Sequence, residues 1–307
     1  MADTEQVKEA AEAYIYGYPL VYDLQEVAEF VEGGGSLPIQ APYNAFASAR
    51  RLLGPETKFV SPNNDTLYLV AMLDVRQGPI VLHVPDTGDR YYVLQFVDAW
   101  SNNFAYIGRR ATGTAEVEFL LTDRDYDGPV PDGMTVVPAP SGVFSVVGRV
   151  QVDGEADLSA VHALQEQFTL TPLAAGAGGP SPGQVAGVPE PDPRVREDLR
   201  WWEQFRVALA AFPPPAGDAP FVALAERLGV TASKSPYVDP DPELASCWWP
   251  ASRPGRPRSR SSPVAAAVMG QAAGVAPCTC STTTWTTLAP ERSTLPNGRS
   301  PTAPRPM

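Results

Sequence analysis

Three periodicities follow one another along the chain. Residues 3–17 carry Val7, Ala10, Ala11, Tyr14 and Gly17 at helical spacing, with Asp3 and Gln6 in capping-box positions. Pro19 cannot continue that helix but suits the first turn of a second one. The second helix is expected to run to about Val31 and to stop at Gly33-Gly34-Gly35. A shorter helical stretch is expected over 43–53. From about 58 to 152 the period changes to two. Thr66–Val75 is a continuous apolar run, and Pro79–Val84, Arg90–Asp98, Glu116–Thr122, Met134–Val137 and Val143–Val152 follow, separated by Gly, Pro and Asp turns. Strands this apolar need cover on both faces, from the N-terminal helices or a second sheet. Residues 157–168, 192–211 and 220–228 return to helical spacing; Asp157 or Ser159 caps the first, and Pro213-Pro214-Pro215 stops the second. The expected fold is α+β. N-terminal helices pack on an antiparallel, jelly-roll-like β-sandwich over 58–152, further helices follow, and a disordered C-terminal tail closes the chain.

Charge divides the chain unevenly. The 307 residues carry a net charge of −12 and 34 prolines. Residues 247–307 hold seven arginines, one acid (Glu291), ten prolines and all three cysteines. The expected organisation is therefore a folded domain over 1–173, a Gly/Pro linker over 174–193, a helical segment over 194–246 and an anomalous tail over 247–307. An acidic folded part argues against nucleic-acid and anionic-membrane partners. Two histidines, His83 and His162, leave little material for a His-built metal site or a His-dependent catalytic pair. Cys278-Thr279-Cys280 has the wrong spacing for zinc. Gly179-Pro180-Ser181-Pro182-Gly183 matches a nucleophile elbow only formally, since its prolines remove the backbone donors that an oxyanion hole needs. Neither a P-loop nor a dinucleotide fingerprint is present, and no cofactor is expected. No apolar run spans a membrane and no leader pattern opens the chain, so the expected localisation is cytoplasmic.

The ordered segments carry a resemblance. Tyr16-Gly17-Tyr18-Pro19-Leu20 is followed by Asn44, by Ser61-Pro62-Asn63-Asn64-Asp65-Thr66-Leu67-Tyr68 and by Val84-Pro85-Asp86. Arg90-Tyr91-Tyr92, Asp98-Ala99-Trp100-Ser101-Asn102-Asn103 and Ile107-Gly108-Arg109 complete the series. In this order and spacing the chain resembles the DUF1254 family (domain of unknown function), closely over residues 8–173 and more loosely to 246. The resemblance implies a helical N-terminus, β-sandwich-like halves and a following DUF1214 domain. It implies no settled reaction. Where such a domain would continue, this chain turns to Arg, Pro and Ser. Back-translated with GC-rich codons and read one base out of frame, Pro277–Trp285 and Ser246–Arg253 give ordinary globular strings. The tail therefore reads as a frameshift near 245–247, with a natural basic extension as the alternative.

Candidate chemistry sits at strand ends. Asn63, Asn64 and Asp65 precede a strand, where such side chains hold a ligand hydroxyl or simply fix the turn. Arg90 can clamp an anion or pair with Asp65, Asp98 or another acid. Tyr68 and Tyr91 are the aromatic candidates beside them, and Tyr91 and Tyr92 alternate, so only one of that pair faces a given pocket. Asp98, Trp100 and Asn103 end a strand; Trp100 can stack on a flat ligand or be a core residue with a satisfied indole. Arg109 is a second anion contact or a structural pair. Tyr14, Tyr18 and Tyr22 belong to the core or to an interface. The leading reading is binding of a polar small molecule or carbohydrate in a sandwich cleft. The alternatives are a hydrolase using Asp65 and Asp98 as an acid/base pair, and a structural or homo-oligomer-forming protein.

Overall fold

The computed structural model describes residues 4–35, 37–55, 57, 63–173, 185–242 and 245. Its first element corrects the sequence reading. Thr4–Glu32 is one continuous helix, α1, with Pro19 inside it. A mid-helix proline removes a backbone donor and costs about 3 kcal/mol. Packing offsets that cost. Ala10, Ala13, Leu20, Val21, Leu24 and Val27 are all buried along one stripe. Gly17 admits the Phe205 ring so closely that a Cβ there would lie 2.6 Å from it. The helix ends at Gly33, whose φ of +90° only glycine adopts cheaply, and the Gly33 and Gly34 amides donate to the Glu29 carbonyl.

The helix expected over 43–53 is absent. Residues 43–45 turn, and Ala47–Ser48 forms a short edge strand, β1, on β2 (Thr66–Asp74). Asn44 decides the path. It sits at φ 61°, and its side-chain amide brackets the Asp74 backbone, accepting from the N–H at 2.9 Å and donating to the carbonyl at 3.2 Å. Those bonds hold the segment in register against the sheet, which a single weak turn of helix cannot outcompete.

Two sheets follow. Seven more strands are β3 (Ile80–Val84), β4 (Tyr92–Asp98), β5 (Asn103–Gly108), β6 (Val117–Asp123), β7 (Thr135–Ala139), β8 (Val143–Gln151) and β9 (Thr169–Pro172). The first sheet runs β1-β2-β8-β4-β5 and is wholly antiparallel; the second runs β7-β6-β3-β9 and contains one parallel pair, β6 with β7. All nine positions of β2 are buried. Leu67, Leu69, Ala71 and Leu73 enter the core between the sheets with Leu82, Leu121 and Phe144. Tyr68, Val70 and Met72 enter a second core with the helices. The unbroken apolar run thus reflects cover by both a sheet and helices.

Three helices complete the description: α2 (Leu158–Gln165), α3 (Arg200–Ala211) and α4 (Ala219–Arg227). Asp157 does not cap α2 with its side chain; its carboxylate goes to Arg90 instead. Residues 197–199 form a 3-10 turn ahead of α3, so that helix starts later than its apolar pattern suggests. Trp202, Phe205 and Leu209 of α3 are buried in the core shared with α1. The segment after residue 194 therefore completes the helical layer over the first sheet. Most of the linker, the G-x-S-x-G match, the three cysteines and the tail lie outside the described residues. Among those described, no helix is long and apolar enough to cross a membrane.

Candidate functional site

The candidates divide between the two ends of the first sheet. At the Thr66 end, the polar groups hold the fold. Asn63 Oδ1 accepts from the Thr66 amide at 2.9 Å, the Thr66 hydroxyl at 2.7 Å and the Asp65 amide at 3.3 Å. This is an Asx turn that starts β2. Asn64 and Asp65 are exposed. Arg90 donates to Asp157 at 2.8 Å and to the Gln151 carbonyl at 2.9 Å. That fork holds the guanidinium firmly in its charged form and the Asp157 carboxyl below its ordinary range. Neither Asp65 nor Asp98 is its partner. Tyr68 is buried, with the Arg149 guanidinium over its ring. Tyr91 is half-buried under Arg110, and Tyr92 is fully buried. Arg109 pairs with the exposed Asp89 at 2.6 Å.

Asp65 and Asp98 do not converge. Val152 bonds the Asp65 carbonyl and Phe144 lies opposite Asp98, eight positions apart on the β8 side of the sheet. At a strand's rise that is roughly 25 Å. Paired carboxylates of glycoside-type chemistry stand about 5–10 Å apart. Sheet register, which places one acid at each end, separates them.

At the Asp98 end the arrangement is different. Asp98 is buried, and its Oδ1 accepts from the Trp100 and Asn102 amides, each at 2.9 Å. Burial raises its carboxyl, while those donors oppose the rise. The turn needs Ser101 at φ 62°, a sparsely populated region for serine. The Trp100 indole donates to the Phe212 carbonyl at 3.1 Å and its ring lies 5.2 Å from that of Tyr16. Asn103, on the edge strand β5, accepts from Gln95 at 2.6 Å and is exposed.

Asp23 of α1 joins this end, and the sequence reading missed it. Its Oδ2 is buried with no hydrogen-bond partner. Burial, then the nearby Asp98 and Glu26 charges, raise its carboxyl to about 7, against a bond to the Ser101 side chain. The signal was present: Leu20, Asp23 or Leu24, and Val27 fall at helical spacing, so an acid stands on the apolar stripe.

A cleft of about 220 Å³ opens beside Asp98. Loops of both sheets and the end of α3 meet there. Asp98, Trp100, Asp123, Arg124, Asp125 and Ser141 line it, with Arg76 and Phe212. Arg76 is held by Asp74 at 2.8 and 2.6 Å, and Arg124 donates to the Pro140 carbonyl at 2.9 Å. Arg76 is neutralised by Asp74 while Arg124 keeps its charge, so along the lining three aspartates face one guanidinium that has no ion-pair partner among the described residues. Asp123 ends β6 and Asp125 lies in the loop after it, which the sequence reading treated as a plain turn. No group of three or more metal-ligating side chains exists among the described residues.

Residues 43–172 match the family described as "Protein of unknown function (DUF1254)". No curated protein matches the chain. The crystal structure of the VPA0106 protein from Vibrio parahaemolyticus is similar, at a TM-score of 0.62 and 26% sequence identity. The alignment covers 80% of this chain and 56% of that one, so the chain spans little more than half the length of the Vibrio protein. An uncharacterized protein from Burkholderia cenocepacia aligns at 14% identity over 66% of this chain and 54% of that one, with a TM-score of 0.29.

Proposed function

We propose that this chain, whose residues 43–172 match the DUF1254 family, binds a small, hydroxyl-rich polar molecule in the cleft beside Asp98. The observation that carries this reading is the convergence of loops from both sheets on one acidic opening that also holds Trp100. The volume, about 220 Å³, is below the roughly 300–1,000 Å³ of drug-sized pockets and suits one sugar ring or a polyol. Asp98 is occupied by backbone amides, so it shapes the rim. Asp125 and Asp123, whose Oδ1 accepts the Asp125 amide at 3.2 Å, are the carboxylates with oxygens left to accept ligand hydroxyls, and Trp100 supplies an apolar wall.

Calorimetric titration of the full chain with monosaccharides and polyols tests this. One ligand class binds one per chain, and Asp123→Asn weakens it by about tenfold, the scale of a lost charge-assisted hydrogen bond. Silence across the whole set, or unchanged affinity in Asp123→Asn, overturns the proposal. The tail after Ser246 is read here as out of frame; stop codons in the shifted frame of the gene would reject that.

A further inference from the structure

A second cavity, of about 530 Å³, lies in the helical layer and shares no lining residue with the cleft. It sits between α1, α3 and the strap formed by residues 185–191. Its floor is apolar: Val21, Leu24 and Ala28 on α1 and Ala208 on α3. Val188 and Pro189 of the strap face them.

The strap is tied down by Asp74, Arg76 and Tyr43. The Gly187 amide donates to Asp74 Oδ2 at 3.3 Å, and its carbonyl accepts from Arg76 at 2.6 Å. The Tyr43 hydroxyl bonds the Val188 backbone. Gly187 stands at φ +65°, with Tyr43 atoms 3.3–3.4 Å from where a Cβ would lie, so a side chain there would be strained and would have to push Tyr43 back. The wall is therefore built in advance of any ligand, which lowers the ordering cost of binding.

One charge inside stands out. Arg194, Arg196 and Arg206 each pair with a carboxylate at 2.6–2.7 Å. Arg200 has no such partner among the described residues, and it is the arginine of α3 that lines the cavity. It is half-buried, one turn before Gln204, whose amide bonds Gln25 at 3.0 Å. Glu32 and Glu190 also line the cavity, but both are exposed at its mouth, where water screens them.

We propose that this cavity binds a small hydrophobic monocarboxylate. The carboxylate lies on the Arg200 fork beside the glutamine pair, and the apolar body lies along α1. The inference is independent of the cleft, because no residue is common to both.

The full chain is titrated with octanoate, 1-octanol and octylamine below their self-association limits. Octanoate binds one per chain, and the alcohol and amine bind at least about tenfold more weakly, the scale of one charge-assisted contact. Arg200→Gln weakens octanoate by a similar factor and leaves octanol unchanged. Ala28→Trp fills the chamber and abolishes all three; Val31→Trp replaces it if Ala28→Trp lowers the melting temperature. Equal binding of octanoate and octanol overturns the proposal. So does tighter binding of octylamine, which would make Glu32 and Glu190 the recognising groups. Octanoate binding that survives both Arg200→Gln and the filled chamber overturns it as well.

Discussion

The two ends of the first sheet hold similar residue types and put them to different uses. At the Thr66 end, Asn63 Oδ1, Arg90 and Asp157 are densely bonded, the Asn63 side-chain nitrogen is buried without a partner, and Asp65 faces water. At the Asp98 end, two carboxylates are drawn out of water together, one oxygen of Asp23 has no partner, and Ser101 is held at positive φ. Composition does not separate these ends; burial of carboxylates does. A group whose bonds are complete stabilises the fold. Incompletely satisfied groups beside a cleft mark a place where a ligand can supply what is missing.

The largest expected effect breaks the unusual end. The carboxyl of Asp23 rises from an ordinary 3.8 to about 7 in the folded protein. Between those values the folded state keeps a proton that the unfolded state releases. Stability therefore falls as pH rises through that window, and the penalty is complete above about 7. Asp23→Asn removes it. At pH 8 the variant is more stable by roughly 2–4 kcal/mol, and the gain shrinks as the pH falls toward 4. Urea unfolding of both proteins at pH 5 and pH 8 checks this; parallel pH profiles would sink it.

A smaller effect is expected at the settled end. Arg90→Met leaves Asp157 without its fork and the Gln151 carbonyl without a donor. A loss of about 1–2 kcal/mol follows, discounted for partial exposure of the pair. Binding in the cleft stays unchanged, because nothing at the Thr66 end lines it. A melting shift accompanied by loss of cleft binding would show that the ends are coupled.

Local patterns were legible in the sequence, and long-range pairings were not. The unbroken run of β2 announced cover on both faces. The partner of Arg90 lies 67 positions away, on a different element, and no local pattern specifies it. The distance from Asp65 to Asp98 depends on register with β8, which the sequence of either strand leaves open. β9 is four residues long and β1 only two, too short for a period to stand out from its surroundings. Pro19 misled because propensity predicts a break and the packing of Gly17 on Phe205 overrides it. Asp23 was readable as an acid on an apolar stripe, although its proximity to Asp98 was not.

The smallest expected effect sharpens the comparison most. Asp65 and Asp123 are both aspartates at strand ends, Asp65 just before β2 and Asp123 closing β6. Asp65 uses its backbone amide and carbonyl in the fold, toward Asn63 and Val152, while its side chain is exposed. Asp65→Asn keeps both backbone bonds and removes only a solvated charge. The expected change in stability is below about 0.5 kcal/mol, as for surface substitutions away from special features. Ligand affinity in the cleft is expected to stay at the parent value, whereas Asp123→Asn loses it. Side-by-side melting and titration of the two variants reads both outcomes. A loss of binding in Asp65→Asn would return function to the Thr66 end and undo the contrast between the two ends.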